Sequence, residues 1–348
     1  MRRIPTLDGW RGIAILLVMF THAQLGLFHS LFENLLIGKH GVGIFFVLSG
    51  YLISSKLLEQ DAIDLKGFYI RRFSRLMPCV WTYLAFLVLL GMVIRIRLIG
   101  SDLWSSLFFF RNYFPTRDSD SVALTSQFWS LSIEEQFYLV WPAVLLFCGR
   151  KKAFIFAAIG VVGVAAYRFT HWDAYNNFHF DTRTEVNLDG ILLGCILAYA
   201  MRSEAVRSWF ERNARWALAI TIPTIIWCTA RFHYLVPLTE NIAVALALGC
   251  TSARTDLLFS RFLEWGPLKT LGVMSYSVYV WQEIFLVTHT GVIGMALLPF
   301  AAILSYHYIE QPGIRLGRSI ISAERPTQKF AAVPSRGGGD CRRGPSTL

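Results

Sequence analysis

Apolar stretches of about 20 residues alternate with short polar segments along almost the whole chain, and a helix of that length crosses the hydrocarbon core of a bilayer. The pattern predicts an all-α, polytopic integral membrane protein with about ten transmembrane helices. Segment 102–114 is too short to span and is expected to lie in the interface or to re-enter. The predicted spans are residues 10–28, 37–58, 77–97, 128–148, 153–169, 186–202, 215–232, 234–253, 271–289 and 293–310.

Composition favours a membrane protein over a soluble one. The 348 residues are 54% hydrophobic and 16% charged, whereas about a quarter of the residues in a soluble domain are charged. An outer-membrane barrel would instead show alternating strands of about ten residues. We expect a transmembrane domain over residues 1–315, whose last helix ends near Glu310-Gln-Pro312, and a disordered cytoplasmic tail over residues 316–348.

The net charge of +10 is unevenly distributed along the chain. Lys and Arg concentrate in alternate loops, as they do on the cytoplasmic side of membrane proteins. This distribution argues against nucleic acid as a partner and predicts that both termini are cytoplasmic. The basic loops carry Arg2, Arg3, Lys56, Lys66, Arg71, Arg72, Arg75, Arg150, Lys151, Lys152, Arg202, Arg207, Arg212, Arg215, Arg254, Arg261 and Lys269.

The first span contains two ionisable residues, Arg11 and His22, eleven positions apart. Eleven steps of a helix return to within about 20° of the starting direction, so both side chains share one face, about 16 Å apart along the axis. Ionisable groups inside a span are costly and mark a working site by default, which makes both residues catalytic candidates. The alternative is that Arg11 snorkels to the membrane surface and His22 bonds a neighbouring helix.

A second candidate site is the arginine cluster that precedes the third span. Arg75 follows Arg71 by four positions and Arg72 by three, so these arginines can gather on one helical face. Guanidinium clusters bind phosphate groups well. The alternative is topology-setting charge beside anionic lipid.

The fourth span opens with a polar and aromatic stripe. Ser130, Glu134, Tyr138 and Trp141 recur at helical spacing and therefore share one face. Glu135 points about 100° away from Glu134, so only Glu134 need line a cavity. Glu134 is the third catalytic candidate, and its alternative role is that of an interfacial acid at a helix start.

Seven stretches that occur in one order over about residues 5–315 resemble the membrane acyltransferase family often called acyltransferase-3, whose members O-acylate bacterial surface glycans. They are Leu7-Asp-Gly-Trp-Arg-Gly-Ile-Ala with His22, Phe45-Phe-Val-Leu-Ser-Gly-Tyr-Leu-Ile, Arg71-Arg-Phe-Ser-Arg-Leu-Met-Pro, Trp129-Ser-Leu-Ser-Ile-Glu-Glu-Gln-Phe-Tyr, Asp189-Gly-Ile-Leu-Leu-Gly-Cys, Leu271-Gly-Val-Met-Ser-Tyr-Ser-Val-Tyr-Val-Trp281, and Tyr308-Ile-Glu-Gln-Pro312.

The resemblance implies ten helices in the bacterial inner membrane and acyl-CoA, expected to be acetyl-CoA, as a cytoplasmic donor, with no tightly bound cofactor. It implies an essential pair at Arg11 and His22, and functional roles for Arg72, Arg75 and Glu134. The acceptor would be a hydroxyl of a glycan or a lipid-linked saccharide.

Two positions depart from the family pattern. A histidine usually follows Tyr-x-Trp in the ninth span, and here that position is Gln282. An arginine often lies two positions before the aspartate of the sixth span, where this chain has Asn187, and Arg183 is a possible substitute.

The resulting hypothesis assigns one role to each candidate. A hydroxyl needs a base to take its proton, and an imidazole titrates near neutral pH, so His22 would activate the hydroxyl or carry the acyl group briefly. Glu134 would orient His22 or bind sugar hydroxyls. Arg11 would steer the donor or stabilise developing charge, and Arg72 and Arg75 would hold donor phosphates.

Trp129, Ser130 and Tyr138 of the fourth-span motif are the candidate substrate-binding residues. No histidine shows metal-ligand spacing, so no metal is expected. A secondary transporter would also place His, Arg and Glu inside a helix bundle, and a non-catalytic membrane partner is the other alternative.

Overall fold

The structure is a computed structural model that describes residues 4–23, 37–94, 97–114, 120–171, 178–229, 236–286 and 291–324. These residues form helices and no strands. The helices are α1 (Pro5–His22), α2 (Ile37–Leu58), α3 (Leu65–Ile94), α4 (Gly100–Leu107), α5 (Asp120–Thr125), α6 (Phe128–Thr170), α7 (Phe178–Asp181), α8 (Thr184–Ala200), α9 (Glu204–Thr229), α10 (Val236–Ala253), α11 (Leu258–Leu263), α12 (Gly266–Val273), α13 (Ser275–Leu286), α14 (Gly291–Ser305) and α15 (Gln311–Glu324).

Four stretches of the described residues are helical, long and apolar enough to cross a membrane. A fifth span results if Thr184–Ala200 and Glu204–Cys228, which meet at a bend of 105°, are taken as one. The all-α fold and the membrane class are therefore confirmed, while ten crossings remain a prediction. The four stretches are Ile37–Leu58, Leu65–Ile94, Ala123–Thr170 and Ile293–Ala323.

Within the described residues, helix nevertheless overlaps each of the ten predicted spans; the parts of these spans at 24–28, 95–96, 230–232, 234–235 and 287–289 lie outside the described part of the chain. Helix α6 is interrupted at Gly149, whose φ of 76° lies in the left-handed region that glycine adopts readily. The interruption divides α6 into residues 128–148 and 150–170, close to the predicted fourth and fifth spans. Segment 102–114 forms only α4 and one 3-10 turn, consistent with its being too short to span.

Small residues bring the central helices into close contact. A Cβ atom on Gly50 of α2 would collide with the backbone carbonyl of Ile191 in α8, and one on Gly194 would collide with the carbonyl of Val47. A Cβ atom on Gly41 would meet the carbonyl of Ala14 in α1. Helices in lipid associate through such close packing, so α1, α2 and α8 form the centre of the molecule.

The last helix corrects the predicted C-terminal boundary. The helical structure does not stop near Pro312. After α14 ends at Ser305, a π-helical turn over Tyr306–Glu310 leads directly into α15. Helix α15 packs against α3, where Gly313 lies against the backbone of Ser74. The predicted boundary at residue 315 thus falls inside a folded helix, and residues 316–324 are helical; residues 325–348 lie outside the described part of the chain.

Candidate active site

A cavity of about 700 Å³ lies between α1, α2, α3, α6, α13 and α15. That volume is within the range of small-molecule sites. Most of the predicted site residues line it, although they come from distant parts of the sequence. They are Arg11, Arg72, Arg75, Ser130, Glu134 and Tyr138.

Two of the cavity arginines are held by carboxylates. Arg72 donates two hydrogen bonds to Glu135, of 2.7 and 3.0 Å, and its guanidinium lies 3.7 Å from the centre of the Tyr138 ring. Arg75 lies 3.4 Å from Glu310, a buried acid at the end of the π-helical turn. A buried charge is tolerated when it is paired and hydrogen-bonded; the Arg72–Glu135 pair meets both conditions, whereas Arg75 and Glu310 form an ion pair without a hydrogen bond at Nε of Arg75.

Glu134 lines the cavity while Glu135 does not, as their 100° separation predicts. The Tyr138 hydroxyl donates to Glu134 over 2.9 Å, and Arg72 lies 3.7 Å from the same carboxylate. These contacts occupy Glu134 inside the cavity. The acid that faces His22 is Glu283, and the role of Glu134, to orient His22 or to bind sugar hydroxyls, stays a prediction.

His22 lies outside the lining of this cavity, at the C-terminal end of α1. Its Nδ1 is 3.0 Å from the carbonyl oxygen of Val18, and its Nε2 is 3.5 Å from the carboxylate of Glu283. A carbonyl can only accept, so Nδ1 carries the proton in the neutral ring and Nε2 faces Glu283. The acid is 1% exposed and the imidazole 32% exposed, so the ring is not enclosed by aliphatic packing.

Glu283 was not among the predicted site residues. It follows Gln282 in an apolar helix, and an acid inside a membrane helix is itself a signal of function that could have identified it. The adjacent Gln282 is fully buried, and its amide atoms find no hydrogen-bond partner in the described part of the chain.

One turn of helix separates the cavity from the histidine pair. Ser130 and Tyr279 both line the cavity and are hydrogen-bonded to each other. Ser126 lies four positions before Ser130, and Glu283 lies four positions after Tyr279. The hydroxyl of Ser126 donates a hydrogen bond of 3.2 Å to the carboxylate of Glu283. A step of four residues is about 6 Å along a helix axis, so the Glu283–His22 pair lies about one turn beyond the Ser130–Tyr279 pair.

Trp129 points elsewhere and lines a separate polar cavity of about 60 Å³ between α2, α6, α8 and α10. The predicted substrate-binding group is therefore divided between two cavities. The smaller cavity contains the ion pairs Lys39–Asp181, His40–Glu240 and Arg168–Asp189.

The smaller cavity also corrects the expected substitute for the missing sixth-span arginine. Asp189 is paired with Arg168 over 2.5 Å, whereas Arg183 lies 3.7 Å from Glu185 near the surface. Arg168 comes from the second half of α6, so the partner is supplied by the preceding predicted span. Among the described residues, no group of His, Cys, Asp or Glu side chains could hold a metal ion.

Comparison with known proteins shows which family the chain belongs to. The family model of an acyltransferase domain matches residues 4–307, which include the His22–Glu283 pair and most of the residues that line the large cavity. The chain belongs to this acyltransferase family. No solved structure matches it.

Two curated relatives align with 89% of the chain. The O-acetyltransferase OatA of Staphylococcus aureus is 27% identical, and the peptidoglycan O-acetyltransferase OatA of Listeria monocytogenes is 28% identical. The alignments cover 57% and 55% of these relatives, so the chain spans little more than half their length.

Proposed function

We propose that this protein is an O-acetyltransferase that moves an acetyl group from acetyl-CoA to a hydroxyl of a cell-envelope glycan, across or within the bacterial inner membrane. The main support is the His22–Glu283 pair one turn beyond a cavity lined by cations. Acyltransferase family membership supports the reaction class, and the names of the relatives support a peptidoglycan-like acceptor.

The chemistry requires a base, an acyl donor and a hydroxyl. The Nε2 atom of His22 accepts the hydroxyl proton as the hydroxyl oxygen attacks the thioester carbonyl. The carboxylate of Glu283 stabilises the positive charge of the imidazolium that forms, from the side of the same nitrogen, whereas the acid of a Ser-His-Asp triad contacts the opposite ring nitrogen. The C–S bond then breaks, and the departing thiolate takes up the proton.

The donor enters through the large cavity in this proposal. Its thioester passes Arg11 and the Ser130–Tyr279 pair before it meets His22. This path requires the hydrogen-bonded side chains of Ser130 and Tyr279 to separate. Arg11 lies 3.9 Å from Asp8 and is free to turn toward negative charge in the donor, because its contact with that acid is long.

Replacement of His22 tests the function directly. We expect His22→Ala to lower acetyl transfer about 100-fold or more, the usual contribution of a general base, because no other group takes the proton. Loss of envelope-glycan esters in cells that carry this variant, measured by mass spectrometry, is the readout.

The matched control is His171→Ala, because His171 is exposed and lines neither cavity. It should leave the ester content unchanged. Wild-type ester levels in the His22→Ala cells, at equal protein abundance, would contradict the proposed chemistry.

A further inference from the structure

Six basic side chains line the large cavity, but they are not equally neutralised. Two of the inner three are closely paired with acids, Arg72 with Glu135 and Arg75 with Glu310, and the third, Arg11, lies 3.9 Å from Asp8. The other three lie on exposed or half-exposed parts of α2, α3 and α15. They are Lys56, Arg71 and Arg318.

The outer three cations lack effective counter-charges. Neither Lys56 nor Arg318 has an acid within 4 Å among the described residues. Arg71 lies 3.9 Å from Asp64, whose side chain is 43% exposed. The positive charges of Arg71, Arg75 and Arg318 all repel the Lys56 ammonium. Three cations that face one cavity and repel one another would be stabilised by a bound polyanion.

We propose that Lys56, Arg71 and Arg318 form a phosphate-binding site for the nucleotide end of the acyl-CoA donor, an inference that rests on the proposed function. Coenzyme A carries a 3′-phosphate and a diphosphate at one end and a neutral thioester at the other. Arginine and lysine together provide bidentate and point-charge contacts to phosphate. The thioester arm then extends inward along the cavity.

The assignment moves the phosphate site away from Arg72 and Arg75, the residues predicted from sequence. Both are already paired with carboxylates, Arg72 with Glu135 and Arg75 with Glu310. A phosphate brought against Arg72 would have to approach Glu134 and Glu135, and like charges at that distance repel. The three outer cations impose no such cost, because no acid is paired closely with them.

Binding of free coenzyme A to the full-length protein in phosphatidylcholine nanodiscs tests the site. We expect Lys56→Gln combined with Arg318→Gln to weaken binding about 10-fold or more, since charge-assisted hydrogen bonds are lost. Affinity for 3′-dephospho-coenzyme A should fall less, and the KM for S-acetylpantetheine, which lacks the nucleotide, should not change. The matched control removes two exposed cations outside the cavity, with Lys151→Gln and Arg212→Gln.

The outcomes separate this inference from the proposed function. If the wild-type protein does not bind coenzyme A, the donor in the proposed function is wrong. If it binds and the cavity double variant binds equally well, the phosphate site is wrong while the donor stands. A parallel measurement compares the binding of phosphatidylglycerol and phosphatidylcholine to the wild-type protein and the double variant. If the double variant binds coenzyme A like the wild type but loses a wild-type preference for phosphatidylglycerol, the three cations recognise lipid headgroups, and the assignment to the donor is overturned.

Discussion

Buried acids near the large cavity each lie beside one basic side chain, an arginine or a histidine, and limit the contacts that this side chain can make. Glu310 holds Arg75, and Glu134 with Glu135 holds Arg72. Glu283 differs because its partner is an imidazole, the side chain that gains and loses a proton near neutral pH. The acid at the end of α13 is therefore the positioning residue with the most direct link to the chemistry.

Glu283→Gln tests that link at the scale of one side chain. The substitution keeps the shape and the acceptor for the Ser126 hydroxyl but removes the charge that faces Nε2 of His22. We expect kcat to fall about 10- to 100-fold, because a charge-assisted contact worth about 1.5–3 kcal/mol is lost in the transition state. The KM for acetyl-CoA should stay unchanged, since Glu283 does not line the large cavity through which the donor is proposed to enter.

A structural role alone would give a different result. Misfolding would lower the amount of protein that elutes as a monodisperse peak and would leave kcat per folded molecule intact. Glu283→Asp, which retains the charge on a shorter side chain, should recover part of the lost rate. Equal rates for the Gln and Asp variants would remove Glu283 from the mechanism.

At the scale of the helices, the crossing of α2 and α8 fixes the cavity wall. Ser49 lines the cavity, and its neighbour Gly50 touches the backbone of α8. The site geometry on α2 therefore depends on how closely α8 can approach.

Gly50→Ala should destabilise the protein by about 1–3 kcal/mol, the usual cost of overpacking, because the obstructing atom is a backbone carbonyl that cannot turn aside. Gly163→Ala is the control, since Gly163 is an exposed helical residue whose Cβ atom would meet nothing within 4 Å. It should be neutral or stabilising by up to about 1 kcal/mol. Apparent Tm in detergent measures both, and an unchanged Tm for Gly50→Ala would contradict the close crossing.

The elements were predictable from sequence to the extent that their signal is local. In the described part of the chain, a helix overlaps each apolar stretch that was predicted to span, because burial in lipid demands continuous hydrophobicity. Pro312 misled the prediction of the last boundary, since proline is tolerated in the first turn of a helix, and here it is the second residue of α15.

Pairings between helices were not predictable, because nothing local specifies them. Helical spacing correctly assigned Glu134 to the cavity, but its partner could only be guessed, and the acid beside His22 is Glu283, more than 250 residues away along the chain. Likewise, the partner of Asp189 in α8 is Arg168, which lies in α6.

For the whole molecule, the two ends of α1 differ in character. Arg11 and the cavity with its outer cations, Lys56, Arg71 and Arg318, lie toward the N-terminal end, while His22 lies at the other end. The basic loops predicted to be cytoplasmic include the first two of these outer cations. A water-soluble, highly anionic donor should therefore reach the site from one side of the membrane only.

Vesicles of defined orientation test this asymmetry, because coenzyme A esters do not cross a bilayer. We expect acetyl-CoA added outside inside-out vesicles to be consumed, whereas the same addition to right-side-out vesicles should give less than about a tenth of that rate, the remainder reflecting broken vesicles. Detergent should raise the rate of the right-side-out sample to that of the inside-out sample, which controls for protein amount. Equal consumption in both intact preparations would mean that the donor cavity is open to both sides. The basic residues at its mouth would then not mark the cytoplasmic face.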